Sequence, residues 1–133
     1  MRKELTKGIY KPQGMYVLEI ELVLDSLNEK IEIKADTGFN GGIFLPESYS
    51  EKFDEYNING YPSKMVLADG DIVWGWEYLA NIRRIGEYRC DIPCIVHCYG
   101  NGIPLMGLEL LNRWICEFDG PNNCLTILTD DIR

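Results

Sequence analysis

The stretch Ile31-Glu32-Ile33-Lys34-Ala35-Asp36-Thr37-Gly38-Phe39-Asn40-Gly41-Gly42-Ile43-Phe44-Leu45-Pro46 constrains this chain more than any other. Ile31, Ile33 and Ala35 alternate with Glu32, Lys34 and Asp36, the period of a half-buried strand. The triplet Asp36-Thr37-Gly38 breaks the pattern, and Ile43-Phe44-Leu45 resumes an apolar run. The segment therefore reads as strand, tight polar turn, strand. A carboxylate at the tip of such a turn is held by rigid elements on both sides, which is how reacting groups are commonly presented. An ordinary turn aspartate is the plain alternative for Asp36.

Composition narrows the field. A chain of 133 residues fits one domain spanning 1–133, with a core over about 15–128. At 46% hydrophobic residues it can bury a real core. The net charge is −8 and the 13 Lys and Arg residues are scattered. Nucleic acids and anionic membranes need a basic patch, so neither is an expected partner. No apolar run approaches the length of a membrane span. Met1-Arg2-Lys3-Glu4-Leu5-Thr6-Lys7 has no apolar segment behind its charges, unlike a signal peptide. The expected location is the cytoplasm.

The five cysteines are Cys90, Cys94, Cys98, Cys116 and Cys124. An odd number without a secretion signal argues against a disulfide framework. Cys90, Cys94 and Cys98 share one face of a strand, whereas His97 points to the other. A metal site there competes with buried apolar thiols, and the expectation is no metal and no cofactor.

Along the chain, Met15–Leu24 and the Ile31 strand form a hairpin through the turn residues 25–30. Pro46 to Asp54 reads as a short helix with Pro at its start. Lys64 to Ile85 is strand-rich, and Asp69-Gly70 between two apolar runs signals a second hairpin. Trp74 and Trp76 on its return strand are core aromatics or substrate contacts. Gly86 marks a turn, and Glu87–Cys98 is a strand in which Pro93 implies an edge or a bulge. Leu108–Trp114 makes one or two helical turns. Ile115–Phe118 and Cys124–Leu128 are the last strands. Arg83-Arg84 reads as a surface pair and Asp130-Asp131 as a solvated tail. The architecture is mainly β, a closed or partly closed barrel with short helices.

The order of Asp36-Thr37-Gly38, the Asp69-Gly70 hairpin, two further strands, Leu105-Met106-Gly107 and the Leu-rich turn Leu108-Glu109-Leu110-Leu111 resembles the retropepsin-like (clan AA) aspartic proteases. It is similar in particular to a prokaryotic group whose catalytic loop reads Asp-Thr-Gly-Phe, as Asp36 to Phe39 does. The resemblance spans residues 15 to 128 and implies a single-lobed acid-protease barrel. It implies an aspartic endopeptidase acting on a peptide or protein, with Asp36, Thr37 and Gly38 catalytic. Ala68, Asp69 and Gly70 would form the substrate-covering flap, with Phe39 beside the substrate. Leu105, Met106 and Gly107 would support the catalytic loop. Two departures stand out: Phe39-Asn40 follows the triplet where retroviral members have a small residue and Asp, and Leu108 stands where they have Arg.

Peptide hydrolysis by carboxylates needs one to take a proton from water and a second, protonated, to polarise the carbonyl. Two carboxyls about 3 Å apart share one proton, as in the aspartic-protease dyad. A single Asp-Thr-Gly then implies a homodimer supplying one Asp36 from each subunit. Thr37 would hydrogen-bond across the two-fold axis, and Gly38 would let a backbone N–H approach the carboxylate. The resemblance implies a dimer sheet of terminal strands, with Cys124–Leu128 as an unpaired edge; the alternative is that this strand closes its own subunit's barrel. A catalytically silent binding or scaffold domain on the same fold is the competing function, because fold alone never proves activity. A metal- or redox-sensing thiol protein is a third.

Overall fold

A computed structural model describes residues 1–130 of the chain. Its strands are β1 (Arg2–Lys11), β2 (Met15–Leu24), β3 (Leu27–Ala35), β4 (Ile43–Leu45), β5 (Tyr61–Val66), β6 (Ile72–Ile85), β7 (Tyr88–Cys98), β8 (Leu105–Met106), β9 (Ile115–Asp119) and β10 (Cys124–Asp130). Two short helices interrupt them, α1 (Ser48–Glu55) and α2 (Leu108–Leu111).

The strands run in the order β5-β6-β7-β4-β8-β3-β2-β1-β10-β9, and an additional β6–β2 pairing brings the sheet back onto itself. Strands β2, β3, β8, β4, β7 and β6 thereby form a closed circuit. The circuit follows from the sequence pattern. Leu27, Ile31, Ile33 and Ala35 turn inward from β3, while Asn28, Lys30 and Glu32 are exposed. Across β2, Leu18, Ile20, Leu22 and Leu24 do the same, in register with Ile33, Ile31, Glu29 and Leu27. Leu22, Ile33, Ile43, Leu45, Ile82 and Met106 have no exposed surface and fill the centre. From α1, which begins just after Pro46, the buried ring of Phe53 packs edge-on against Tyr78.

The residues on which a site would rest come from the middle of this order. Strand β8 is two residues long, yet it joins β3 in parallel (Lys34↔Leu105, Ala35↔Met106) and β4 antiparallel (Ile43↔Met106, Phe44↔Leu105). The two strands flanking the Asp-Thr-Gly turn are thus held apart and in register by one short segment from far along the chain.

Several expectations change here. Arg2–Lys11 was not expected as a strand; its side chains are mostly exposed, so no apolar alternation advertises it. Strand β1 pairs with β10 from Arg2↔Asp130 to Ile9↔Cys124, and β9 takes the other side of β10. Cys124–Leu128 is therefore no free edge: both its flanks are paired within its own subunit, outside the closed circuit, and Leu125 and Ile127 are fully buried. Asp130 is the exposed end of β10 rather than part of a tail, and Asp131 lies outside the described residues. Trp74 and Trp76 are 68% and 43% exposed on the β5–β6 hairpin, which excludes the core reading. Pro93 is exposed opposite Asn81, and β4 reaches only Val96–Cys98 of β7, so it sits where the strand has one paired flank among the described residues. Arg83 is exposed, and Arg84 lies 3.9 Å from Glu21. Among the described residues no helix is long and apolar enough to cross a membrane.

Because β10 lies between β1 and β9, deleting residues 124–133 is expected to abolish the cooperative thermal transition seen by circular dichroism. Leu125→Ala should cost about 2–5 kcal/mol, the range for emptying a buried leucine site. A truncated chain that melts cooperatively would show that β10 is dispensable to the subunit.

Candidate active site

The turn after β3 is built from its own polar groups. The Gly38 N–H donates to Asp36 Oδ1 at 2.8 Å, and the Phe39 N–H donates to the Asp36 carbonyl at 3.2 Å. The Asp36 N–H itself donates to the Met106 carbonyl at 2.9 Å. A carboxylate that accepts a backbone N–H and whose own main chain is anchored has little freedom to rotate. A Cβ on Gly38 would stand 3.1 Å from Asp36 Oδ1, so glycine lets this N–H approach. Asp36 is half-buried and Thr37 is exposed beside it.

The second half of the loop is fastened to the segment after β8. Gly107 N–H donates to the Gly42 carbonyl at 2.8 Å, Leu108 N–H to the Phe39 carbonyl at 2.8 Å, and Glu109 N–H to the Gly41 carbonyl at 3.3 Å. Gly107 has an extended backbone (φ −101°, ψ −174°) that any residue can adopt. Space, not conformation, requires glycine: an added Cβ would collide with the Gly41 and Phe39 carbonyl oxygens and with the Phe39 ring. Leu105, Met106 and Gly107 thus do meet the Asp36 loop, Met106 being fully buried.

Phe39, expected against the substrate, packs inward. Its ring covers Gly41 and the Gly107 position and meets His97 edge-on at 6.3 Å between centroids. His97 in turn lies 3.8 Å from Glu77 Oε2, its cross-strand partner on β6. The charged side chain that approaches Asp36 is Lys34, whose Nζ stands 4.0 Å from Asp36 Oδ2. Lys34 was not singled out as a site residue from the sequence, although its spacing of two from Asp36 on a strand places both on one face.

Ala68, Asp69 and Gly70 occupy the exposed tip of the β5–β6 hairpin. Gly70 N–H donates to the Leu67 carbonyl at 2.9 Å, Leu67 N–H to the Asp71 carbonyl at 2.8 Å, and Asp71 N–H to Asp69 Oδ1 at 2.9 Å. Gly70 adopts φ +89°, a conformation that disfavours a side chain, although nothing lies within 4 Å of the position a Cβ would take. Among the described residues no hydrogen bond or ion pair joins this tip to the Asp36 loop. The hairpin and the loop are separate elements of one subunit.

The cysteines of β7 behave as expected of a single strand face: Cys94 and Cys98 are buried, Cys90 is partly buried, and His97 projects the other way. Burial pushes the Cys94 and Cys98 thiols up to about 12, with Glu109 adding to the effect at Cys94. Burial, then the neighbouring Asp91, raises Cys90 as well. Such thiols hold their protons and are poor ligands and nucleophiles. Among the described residues no cluster of three or more His, Cys, Asp and Glu side chains is placed to hold a metal ion.

No protein-family model and no curated protein sequence matches the chain. Solved structures do. The chain is similar to the crystal structure of a retropepsin-like aspartic protease from Rickettsia conorii, with a TM-score of 0.59 at 17% identity, over 97% of this chain and 92% of that one. It is also similar to the retroviral protease-like domain of Ddi1 from Leishmania major, with a TM-score of 0.52 at 15% identity, over 87% of this chain and 90% of that one. The fold is retropepsin-like: mainly β, single-lobed, with short helices.

Gly107→Ala tests how the loop is held. The added methyl meets two backbone carbonyls rather than a flexible side chain, so the loop or β8 must move. Destabilisation of about 1–3 kcal/mol is expected by chemical denaturation, the usual cost of overpacking. Gly120→Ala, where nothing lies within 4 Å, is the control and should change stability by less than about 0.5 kcal/mol. Equal stability of the Gly107 variant and the wild type would contradict the packing described.

Proposed function

We propose that the protein is a homodimeric aspartic endopeptidase. The observation that carries this reading is the Asp36 carboxylate: presented at a turn between two strands, bonded by the Gly38 N–H and locked from behind by Met106 and Gly107. The retropepsin-like fold of the two structural neighbours supports it.

In this reading two Asp36 side chains meet across a two-fold axis and share one proton. The ionised carboxylate takes a proton from water as the water attacks the scissile carbonyl. The protonated partner donates to the carbonyl oxygen, and the resulting gem-diol collapses with proton transfer to the leaving amine. Thr37, exposed in the single subunit, would become buried by hydrogen-bonding across the axis. Ala68, Asp69 and Gly70 would close over the peptide, with Trp74 and Trp76 offering apolar contact from the same hairpin. With β10 enclosed between β1 and β9, the dimer contact would fall on the turn around Thr37 and on β9, the terminal-sheet strand with one paired flank among the described residues. We place the chain with the prokaryotic Asp-Thr-Gly-Phe members, acting in the cytoplasm without a cofactor.

The second reading is a catalytically silent peptide-binding domain on the same fold. The Lys34 ammonium favours it, because it stands 4.0 Å from the carboxylate that would have to take the proton from water. Cleavage of a mixed peptide library from pH 4 to pH 8 separates the two. The wild type should cleave, and Asp36→Asn should lose at least about a thousandfold in kcat/KM, since the amide neither accepts nor shares the proton; that loss is about 4 kcal/mol of transition-state stabilisation. Its circular dichroism and melting should stay close to wild type. Retention of wild-type turnover by Asp36→Asn would remove Asp36 from the chemistry, and absence of cleavage by the wild type would favour the silent domain.

A further inference from the structure

Lys34 is the least expected neighbour of Asp36. It projects from the same face of β3, its Nζ 4.0 Å from Asp36 Oδ2, with about a third of the side chain exposed. The acidic neighbour on that strand face, Glu32, is engaged elsewhere, 3.5 Å from Lys11, and Lys30 lies further along β3 from the turn. Among the described residues Asp36 is the one carboxylate within 4.0 Å of Lys34. The Phe39 ring lies against Gly41 and meets His97 edge-on. The surface next to the carboxylate is therefore an ammonium group.

The charge balance follows, resting on the homodimeric reading above. Two Asp36 carboxyls that share one proton carry one negative charge, and two Lys34 side chains carry two positive charges. The centre of the cleft is left with one uncompensated positive charge, in a chain whose net charge is −8. A substrate carboxylate would satisfy it, and by pairing with Lys34 would free the outer face of Asp36 for water. We infer that Lys34 makes the site selective for peptides bearing a carboxylate beside the bond to be cleaved. A neutral peptide leaves Lys34 on Asp36, and a basic one is repelled.

Binding reads this independently of turnover. C-terminally amidated peptide pools carrying one central Glu, Gln or Lys in a neutral background, with the central bonds N-methylated to resist cleavage, are titrated into the wild-type protein by calorimetry. Amidation separates side-chain recognition from recognition of a chain terminus, which a matched pool with a free C-terminal carboxylate tests in parallel. The Glu pool should bind about fivefold more tightly than the Gln pool, the effect of one partly exposed ion pair, and the ratio should shrink in high salt. Lys34→Met should bring the ratio to about one, and Lys34→Glu should make the Lys pool the tightest. Equal binding of the Glu and Gln pools, or a preference that survives Lys34→Met, would overturn the inference. If the wild type cleaves nothing yet the Glu preference depends on Lys34, the hydrolytic reading fails and the carboxylate subsite stands.

Discussion

The structure depends on the lock between the Asp36 loop and the segment Leu105–Leu108. Two residues of β8 pair with both strands that flank the loop, and the three N–H groups of Gly107, Leu108 and Glu109 reach carbonyls at Gly42, Phe39 and Gly41. Each such bond adds only about 0.5–1.5 kcal/mol net. Their geometry matters more than their sum. The loop has no secondary structure of its own, and without these partners its buried carbonyls would be unsatisfied. Gly107 makes the approach possible because its missing Cβ leaves room for two carbonyls and the Phe39 ring.

From this lock the rest follows outward. A rigid β3–turn–β4 unit points one carboxylate at the surface, while the β6–β2 pairing closes the strands behind it. The hairpin β5–β6 extends from the closed circuit with Tyr61, Val66, Ile72 and Trp74 exposed, so few of its side chains take part in the core. Strands β1, β10 and β9 continue the sheet antiparallel from β2, outside the closed circuit, and bury Leu125 and Ile127. One subunit is thereby complete as a fold and, on the proposed mechanism, incomplete as a catalyst.

Much of this was legible in the residues. The alternation of Ile31, Ile33 and Ala35 with charged neighbours gave β3, and Asp69-Gly70 between apolar runs gave the second hairpin with its positive φ at Gly70. The inward face of Cys90, Cys94 and Cys98 also followed from spacing. Strand β1 was hidden because exposed strands lack an apolar period, and the enclosure of β10 was hidden with it, since its partner had not been seen. That the Phe39 ring would lie over Gly41 and Gly107 was not legible, because it depends on the space two glycines from distant segments leave. The Lys34–Asp36 contact is legible in their spacing of two at the end of β3, which puts both on one face.

The central claim is that catalysis requires two copies of Asp36. The direct measurement is the hydrolysis rate per subunit across a dilution series, with sedimentation over the same concentrations. The account predicts a rate that falls as the dimer dissociates, with half-loss near its dissociation constant, and a restored rate on reconcentration. A species that remains monomeric throughout and cleaves peptides at a rate per subunit independent of dilution would contradict it.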